Sequence, residues 1–368
     1  MKKKIPLSKN VASSADAWYA RSGEANDVVL STRTRLSRNL ANFLFPHTQK
    51  KDEDAERIMS IVFDAFSQED SDGVFHCVRN DALDEKAKRI FFERGIFDEE
   101  GQTGLALKND ESVSCRINNI DHVRIASFEA GLNCQKTFSL CKEVDAMLQK
   151  HIQFAASYDF GYLTSFLKDA GSGMKISIRV HLPSLEFYGE TENEFKKIRD
   201  NGFAIFATYG AGDDYGSSLG SYYDISTTSS FYGSEFDQIA SLQSLGIHLV
   251  ERERKFRAKC ADNRTTRMND TILRAFASCR FNLFLSLRES IKLISVLKWG
   301  YDAGLLSGVS DPSLTSLLYR VQKSFLETLV LTDAFHFEKD IENNMDAKID
   351  RLRSLLVLEV FKELHLSL

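Results

Sequence analysis

The segment Lys175-Ile-Ser-Ile-Arg-Val-His-Leu182 alternates apolar and polar side chains without a break. Period-two alternation of that length fits a β-strand with one buried face, and no helix satisfies it. Lys175, Arg179 and His181 then line the face opposite the core. Two other segments follow the same rule. In Ser31-Thr-Arg-Thr-Arg35 the arginines sit two apart and share a face, and in Asp121-His-Val-Arg-Ile125 His122 and Arg124 oppose Val123 and Ile125. Clustered guanidinium and ammonium groups suit a polyphosphate, because arginine offers paired donors that match phosphate oxygens. The exposed face of a half-buried antiparallel sheet also carries Lys and Arg, so alternation alone leaves both readings open.

Around these strands the chain reads as α+β. From Asp27 to about Leu185 short alternating runs mix with helical stretches at 53–68 and 137–155. Residues 209–232 are rich in Gly and Ser with little periodicity, which predicts a mobile loop. Beyond Phe236, residues 236–260, 265–300, 313–332 and 343–364 read as amphipathic helices, with Ser310-Asp-Pro312 marking a break. The expected organisation is an N-terminal segment over 1–26 with one helix near Asp16–Arg21, an α+β domain over 27–252, and an all-helical C-terminal domain over 253–368.

At 368 residues the chain can bury two cores. A net charge of −5 argues against a dedicated nucleic-acid binder. No run of 18 apolar residues predicts a membrane span. The basic opening Met-Lys-Lys-Lys is followed by no apolar stretch of a secretory signal, so a cytoplasmic protein is expected. The six cysteines form no C-x-x-C pair and read as reduced, mostly buried thiols without a zinc site.

Several motifs together resemble one family. Val29-Leu-Ser-Thr-Arg-Thr-Arg-Leu-Ser-Arg-Asn39 is similar to the nucleotide-binding strand of the ATP:guanido phosphotransferases. Asn118-Asn-Ile-Asp-His-Val-Arg-Ile125 resembles their Asn-Glu-Glu-Asp-His-x-Arg-Ile segment. Gly161-Tyr-Leu-Thr-Ser165 and Gly171-Ser-Gly-Met-Lys-Ile-Ser-Ile-Arg-Val-His-Leu-Pro183 are similar to the family's cysteine loop and its following strand. Glu251-Arg-Glu-Arg254 and Tyr301-Asp-Ala-Gly-Leu-Leu-Ser-Gly-Val309 resemble the protein-arginine kinase branch. The likeness runs through nearly the whole chain in order. It implies an antiparallel sheet flanked by helices, then a helical domain, and ATP-dependent phosphoryl transfer to a guanidinium nitrogen with Mg²⁺.

The resemblance carries over unevenly. On the nucleotide side it implies a site drawn from Ser31, Thr32, Arg33, Thr34, Arg35, Arg124, Lys175, Ile176, Ser177, Ile178 and Arg179. Asp121 matches a retained acid. Lys175 stands where the family has arginine, Phe206 replaces a second arginine, and Gly95 falls at a nucleotide-contacting histidine. On the catalytic side the two glutamates after Asn118 are Asn119 and Ile120, the second catalytic glutamate is Ala211, and the reactive cysteine is Phe166. No metal-binding side chains are identified. A protonated guanidinium is a poor nucleophile, and losing one general base costs about 10²–10⁴-fold. Asp169, Asp213 and Asp214 are the nearest alternative acids. In the tail, Ile349-Asp-Arg-Leu-Arg-Ser354 resembles a phosphoarginine-binding motif through Asp350 and Arg353, and equally fits a solvated helix face.

The resemblance, with these departures, implies a protein-arginine-kinase-like pseudokinase with residual ATP binding and a regulatory role in protein quality control. Its implied partners are arginine-containing proteins and an AAA+ protease system or its adaptor, and its implied state is a homodimer. An active kinase with repositioned acids, and a phosphoarginine-binding or structural subunit, are the alternatives.

Overall fold

A computed structural model describes residues 17–48, 52–96, 103–210, 218–230, 233–263, 265–332 and 334–367. Its strands are β1 (Val29–Arg38), β2 (Phe75–Arg79), β3 (Gly104–Lys108), β4 (Val113–Ile117), β5 (Val123–Ala130), β6 (Ala156–Ser157), β7 (Gly161–Tyr162), β8 (Met174–His181), β9 (Phe203–Ala207) and β10 (Tyr222–Thr227), followed by β11 (Leu306–Ser307) and β12 (His365–Leu366). Eight of them form one sheet in the order β2-β3-β4-β5-β1-β8-β10-β9. The pairs β2/β3, β3/β4, β4/β5 and β5/β1 are antiparallel. The expected helix-flanked antiparallel sheet is therefore present. Tyr222–Thr227 corrects the loop expected across 209–232: its burial keeps it in the sheet although the Gly and Ser around it read as loop.

The described chain divides into two compact units. The first is drawn chiefly from Ser31–Ile178 and Ser226–Ser244, the second from Glu24–Leu30, Arg179–Ile225 and Leu245–Leu368. In the first, the register pairs Leu36 with Ile125 and Ile125 with Cys115, which sets Thr34, Leu36, Ile125 and Ser127 on one face. The helix Cys134–Gln149 packs on that face. Thr34 Oγ1 lies 2.8 Å from Thr137 Oγ1, and Ser127 donates to the Thr137 carbonyl at 2.6 Å. Arg38, fully buried, donates from Nε and Nη2 to Asp145 at 2.9 and 3.2 Å and lies 3.6 Å from the Tyr162 ring centre. A charge this deep requires such a bidentate partner.

The second unit is mostly helical, built from Pro183–Phe187, Thr191–Asp200, the later turns of Glu235–Asn263, Thr266–Phe281, Leu287–Asp302, Asp311–Arg320, Lys323–Val330 and Met345–Phe361. Its core gathers Ile272, Ile294, Leu297, Leu314, Leu317, Val357 and Phe361, each worth about 1.5–3 kcal/mol on full burial. The stretch expected as one helix over 265–300 is two. Ser286 accepts from Glu289 N while Glu289 accepts from Ser286 N, a capping box that restarts the helix after Asn282. Similarly, 313–332 divides at Val321 and Gln322. The antiparallel pair β11/β12 adds a small sheet element to a region expected to be purely helical. Near the N-terminus, Trp18–Ala20 forms a single 3₁₀ turn within the segment expected as a helix.

Candidate functional site

β1 supplies the first two cations. Thr34 and Leu36 face the helix, so alternation leaves Arg33 and Arg35 on the opposite face. The register places Arg33 opposite Phe128, Arg35 opposite Ala126 and Ser37 opposite Arg124. Arg124 in turn lies opposite Arg116 on β4. The Arg33 guanidinium sits 5.2 Å from the Phe128 ring centre, and Arg124 donates to Asn119 Oδ1 at 3.0 Å.

The electrostatics identify a crowd of like charges. Burial, and then the neighbouring Arg124, push the Arg35 guanidinium down to about 10, against the opposing pull of Asp169 and Asp121, while Arg116 pushes the same way as Arg124. Lys175 is held below the ordinary lysine value by burial first and then by Arg35, with Lys168 and Arg33 adding to the effect. Cations that depress one another's protonation gain most from a multiply charged anion. Arg116 is a member that the residue patterns singled out above omit. Its signal is the alternation of Val113-Ser-Cys-Arg-Ile117, the same rule that marks Arg33 and Arg35.

Two loops border this cluster. Asn118 and Asp121 lie in the β4–β5 turn, where Asn118 takes a positive φ of 54°. Asp121 Oδ1 accepts from Asn39 Nδ2 at 2.9 Å and from Ser165 N at 2.8 Å. Ser165 Oγ donates to the Ile120 carbonyl at 2.6 Å. Ile120 and Phe166 are thereby held in neighbouring loops, and neither side chain can carry a proton. Phe166 is half exposed and precedes the 3₁₀ turn Leu167–Asp169. That turn delivers Asp169, whose Oδ2 lies 3.3 Å from Arg35 Nη2.

Other expected site residues serve the scaffold. Thr32 Oγ1 donates to the Gly131 carbonyl at 2.7 Å, while Ser31, Ile176 and Ile178 are buried. Ser177 is half-buried. Two histidines leave the expected cationic lining. His122 is fully buried, accepts from Leu40 N at 3.0 Å and has its other ring nitrogen 3.0 Å from the Leu44 carbonyl. Burial pushes it down to about 4, so it is neutral. His181, also buried, has Nε2 2.8 Å from Ser295 Oγ in the second unit and is held well below the ordinary histidine value, by burial first and then by Lys298 and Arg257.

Arg179 belongs to the second unit as well. It grips Asp224 at 2.8 and 3.1 Å and donates to Tyr319 Oη at 3.3 Å. Phe206 is half-buried on β9 in that same unit. Gly95, with φ at 66°, ends the turn after the helix Glu85–Glu93, and its carbonyl accepts from Arg116. Arg353 is buried and donates to the carbonyls of Val321 at 2.9 Å and Leu285 at 2.7 Å, and to Asp350. This geometry makes the pair a clamp between helices, with the Arg353 guanidinium taken up by protein acceptors. Ala211, Asp213 and Asp214 lie outside the described residues.

Among the described residues no three His, Cys, Asp or Glu side chains gather as a metal site. Among the described residues the groups around Arg35 are mostly cationic, and its two carboxylates, Asp169 and Asp121, do not by themselves fit a protein-held Mg²⁺.

The fold and these motifs define a guanidino-kinase catalytic domain. The signature of the ATP:guanido phosphotransferase C-terminal catalytic domain matches residues 56–256, more than half of the chain, and the chain belongs to that family. Within it, the chain is 28% identical to the protein-arginine kinase of Halothermothrix orenii over 331 residues, covering 88% of this chain and 93% of that one. It is 27% identical to the protein-arginine kinase of Bacillus subtilis over 332 residues, covering 88% and 90%. Among solved structures, lombricine kinase superposes with a TM-score of 0.55 at 17% identity, covering 69% of this chain and 72% of that one. The duplicated taurocyamine kinase of Schistosoma mansoni superposes at 0.54 and 20% identity. That match covers 63% of this chain and about a third, 35%, of the duplicated protein.

Proposed function

We propose that this protein is a catalytically impaired, protein-arginine-kinase-like phosphotransferase that keeps a nucleotide-phosphate cradle and acts as a regulatory subunit in cytoplasmic protein quality control. The observation that carries the reading is the cluster of Arg33, Arg35, Arg124 and Lys175 beside loops that present Asn119, Ile120 and Phe166. The cations would bind the phosphates of ATP, with Mg²⁺ entering on the nucleotide's own oxygens. Positioning and charge neutralisation account for most catalysis of phosphoryl transfer, and this half of the machinery is kept in part. The other half is acid–base chemistry. A carboxylate must orient the guanidinium and take its proton before the nitrogen attacks the γ-phosphorus, and Ile120 does neither.

The test pairs two measurements. Calorimetry with ATP–Mg²⁺ at up to millimolar nucleotide is expected to show weak binding. Acid-labile phosphate analysis after incubation with an arginine-rich protein is expected to show no transfer, with some transfer returning in the double variant Ile120→Glu, Ala211→Glu. Robust transfer by the unmodified protein would favour the active-kinase alternative, and no nucleotide binding would remove the cradle.

A further inference from the structure

The anion nearest the cradle belongs to the protein itself. Asp169 is 7% exposed and its carboxylate lies 3.3 Å from Arg35 Nη2. Among the described residues Arg35 is the one side chain to which it hydrogen-bonds. Asp121, the other carboxylate acting on Arg35, is tied down differently, accepting from Asn39 and from the Ser165 amide. The loop that delivers Asp169 is itself firmly built. Asp169 N donates to the Phe166 carbonyl at 2.9 Å, and Thr164 Oγ1 donates to the same carbonyl at 2.8 Å. Ser230 N and Ser229 Oγ donate to the Lys168 carbonyl at 2.9 and 3.0 Å. Downstream, Gly173 packs so closely on β1 that an added Cβ would lie 2.6 Å from the Ser37 carbonyl oxygen. Both ends of the loop are therefore pinned, and the carboxylate is presented at a fixed place.

We infer that Asp169 is a specificity-determining residue that stands in for a phosphate on Arg35 and tunes the cradle away from highly charged ligands. A carboxylate and a phosphate oxygen use the same guanidinium donors, so an incoming polyphosphate must displace Asp169 or accept one fewer contact. Asp169 also subtracts one charge from a cluster whose other neighbours, Arg124, Arg116, Lys168 and Arg33, repel Arg35 or Lys175. The loss of attraction scales with ligand charge, so a triphosphate is penalised more than a monophosphate. This inference rests on the proposed anion cradle and adds to it the rule by which ligands are selected.

The experiment measures dissociation constants of tripolyphosphate, pyrophosphate, inorganic phosphate and ATP–Mg²⁺ for the full-length protein and for Asp169→Asn and Asp169→Ala, with thermal midpoints reporting folding. For tripolyphosphate we expect about tenfold tighter binding in both variants, the scale of removing one repelling charge beside a polyanion. For inorganic phosphate the gain should be about twofold or less, since the Coulomb term falls with charge. Unchanged or weaker tripolyphosphate binding in a folded variant overturns the inference, as does an equal gain for all three anions. A gain for tripolyphosphate with no ATP–Mg²⁺ binding upholds the role of Asp169 and sinks the nucleotide reading. ATP binding that ignores Asp169 does the reverse, and failure of every anion to bind every protein sinks both.

Discussion

Arg35 is acted on by charges of both signs, Arg124 and Arg116 opposing its protonation and Asp169 and Asp121 favouring it. Its spacing from Arg33 in Ser31-Thr-Arg-Thr-Arg35 puts both on one strand face, and the register with β5 then brings Arg124 into the same crowd. That much was legible, because strand alternation is a local property. The histidines were not. His122 and His181 obey the same alternation, yet partners distant in sequence, the Leu40 amide for one and Ser295 for the other, bury them neutral. Asp169 was visible as an acid near the cysteine position, but its pairing with Arg35 depends on a loop closure over 134 positions. For Arg35 the bidentate fork matters as well as the charge. Arg35→Lys is expected to weaken tripolyphosphate binding by about 10–100-fold, the scale of one hydrogen bond to a charged group. Titration of both proteins at one salt concentration checks it. Equal affinities would show that a point charge suffices there.

At the scale of elements, the cradle depends on how tightly β8 and its leading loop lie against β1. Ser37 N donates to the Gly173 carbonyl at 2.8 Å, and Arg38 Nη1 donates to the Ser172 carbonyl at 3.0 Å. Gly173 has φ at 65°, a left-handed conformation, and its missing Cβ leaves room for both Ser37 O and Arg38 Nη1. Gly173→Ala therefore adds backbone strain to a clash with main chain and with a buried guanidinium. Urea denaturation should show a loss of about 2–4 kcal/mol. A loss below 0.5 kcal/mol would mean the loop relaxes freely, and would weaken the case for a fixed Asp169. Helix boundaries were the poorly legible elements. Amphipathic periodicity carries through 265–300, while the break at Asn282–Ser286 is set by a cap that periodicity does not see. Tyr222–Thr227 failed for the opposite reason, since flanking Gly and Ser hid a strand.

At the scale of the whole molecule, two buried histidines and one half-buried carboxylate give stability the same dependence on pH. His122 titrates near 4 in the folded protein and His181 lies well below the ordinary value, against about 6.5 when unfolded. A base whose pKa is depressed by folding binds fewer protons folded than unfolded in that window, so stability is present above pH 6.5 and falls as pH drops toward 4. Asp27 adds a second, more acid step. Burial alone would raise its carboxyl, but hydrogen bonds from Arg254 at 2.6 and 2.9 Å and Arg257 at 2.8 Å outweigh burial and hold it well below the usual range. A depressed carboxyl contributes stability above about pH 4 that is lost as pH falls further. Between pH 7.5 and pH 5, His122 alone should cost about 2 kcal/mol of unfolding free energy. Chemical denaturation at both values measures it. His122→Gln keeps a polar side chain without the titration and should flatten the profile by about that amount, at the expense of lower stability at pH 7.5. An unchanged slope in this variant would mean that His122 does not govern the loss, and that the acid sensitivity has its origin in His181 and the second unit.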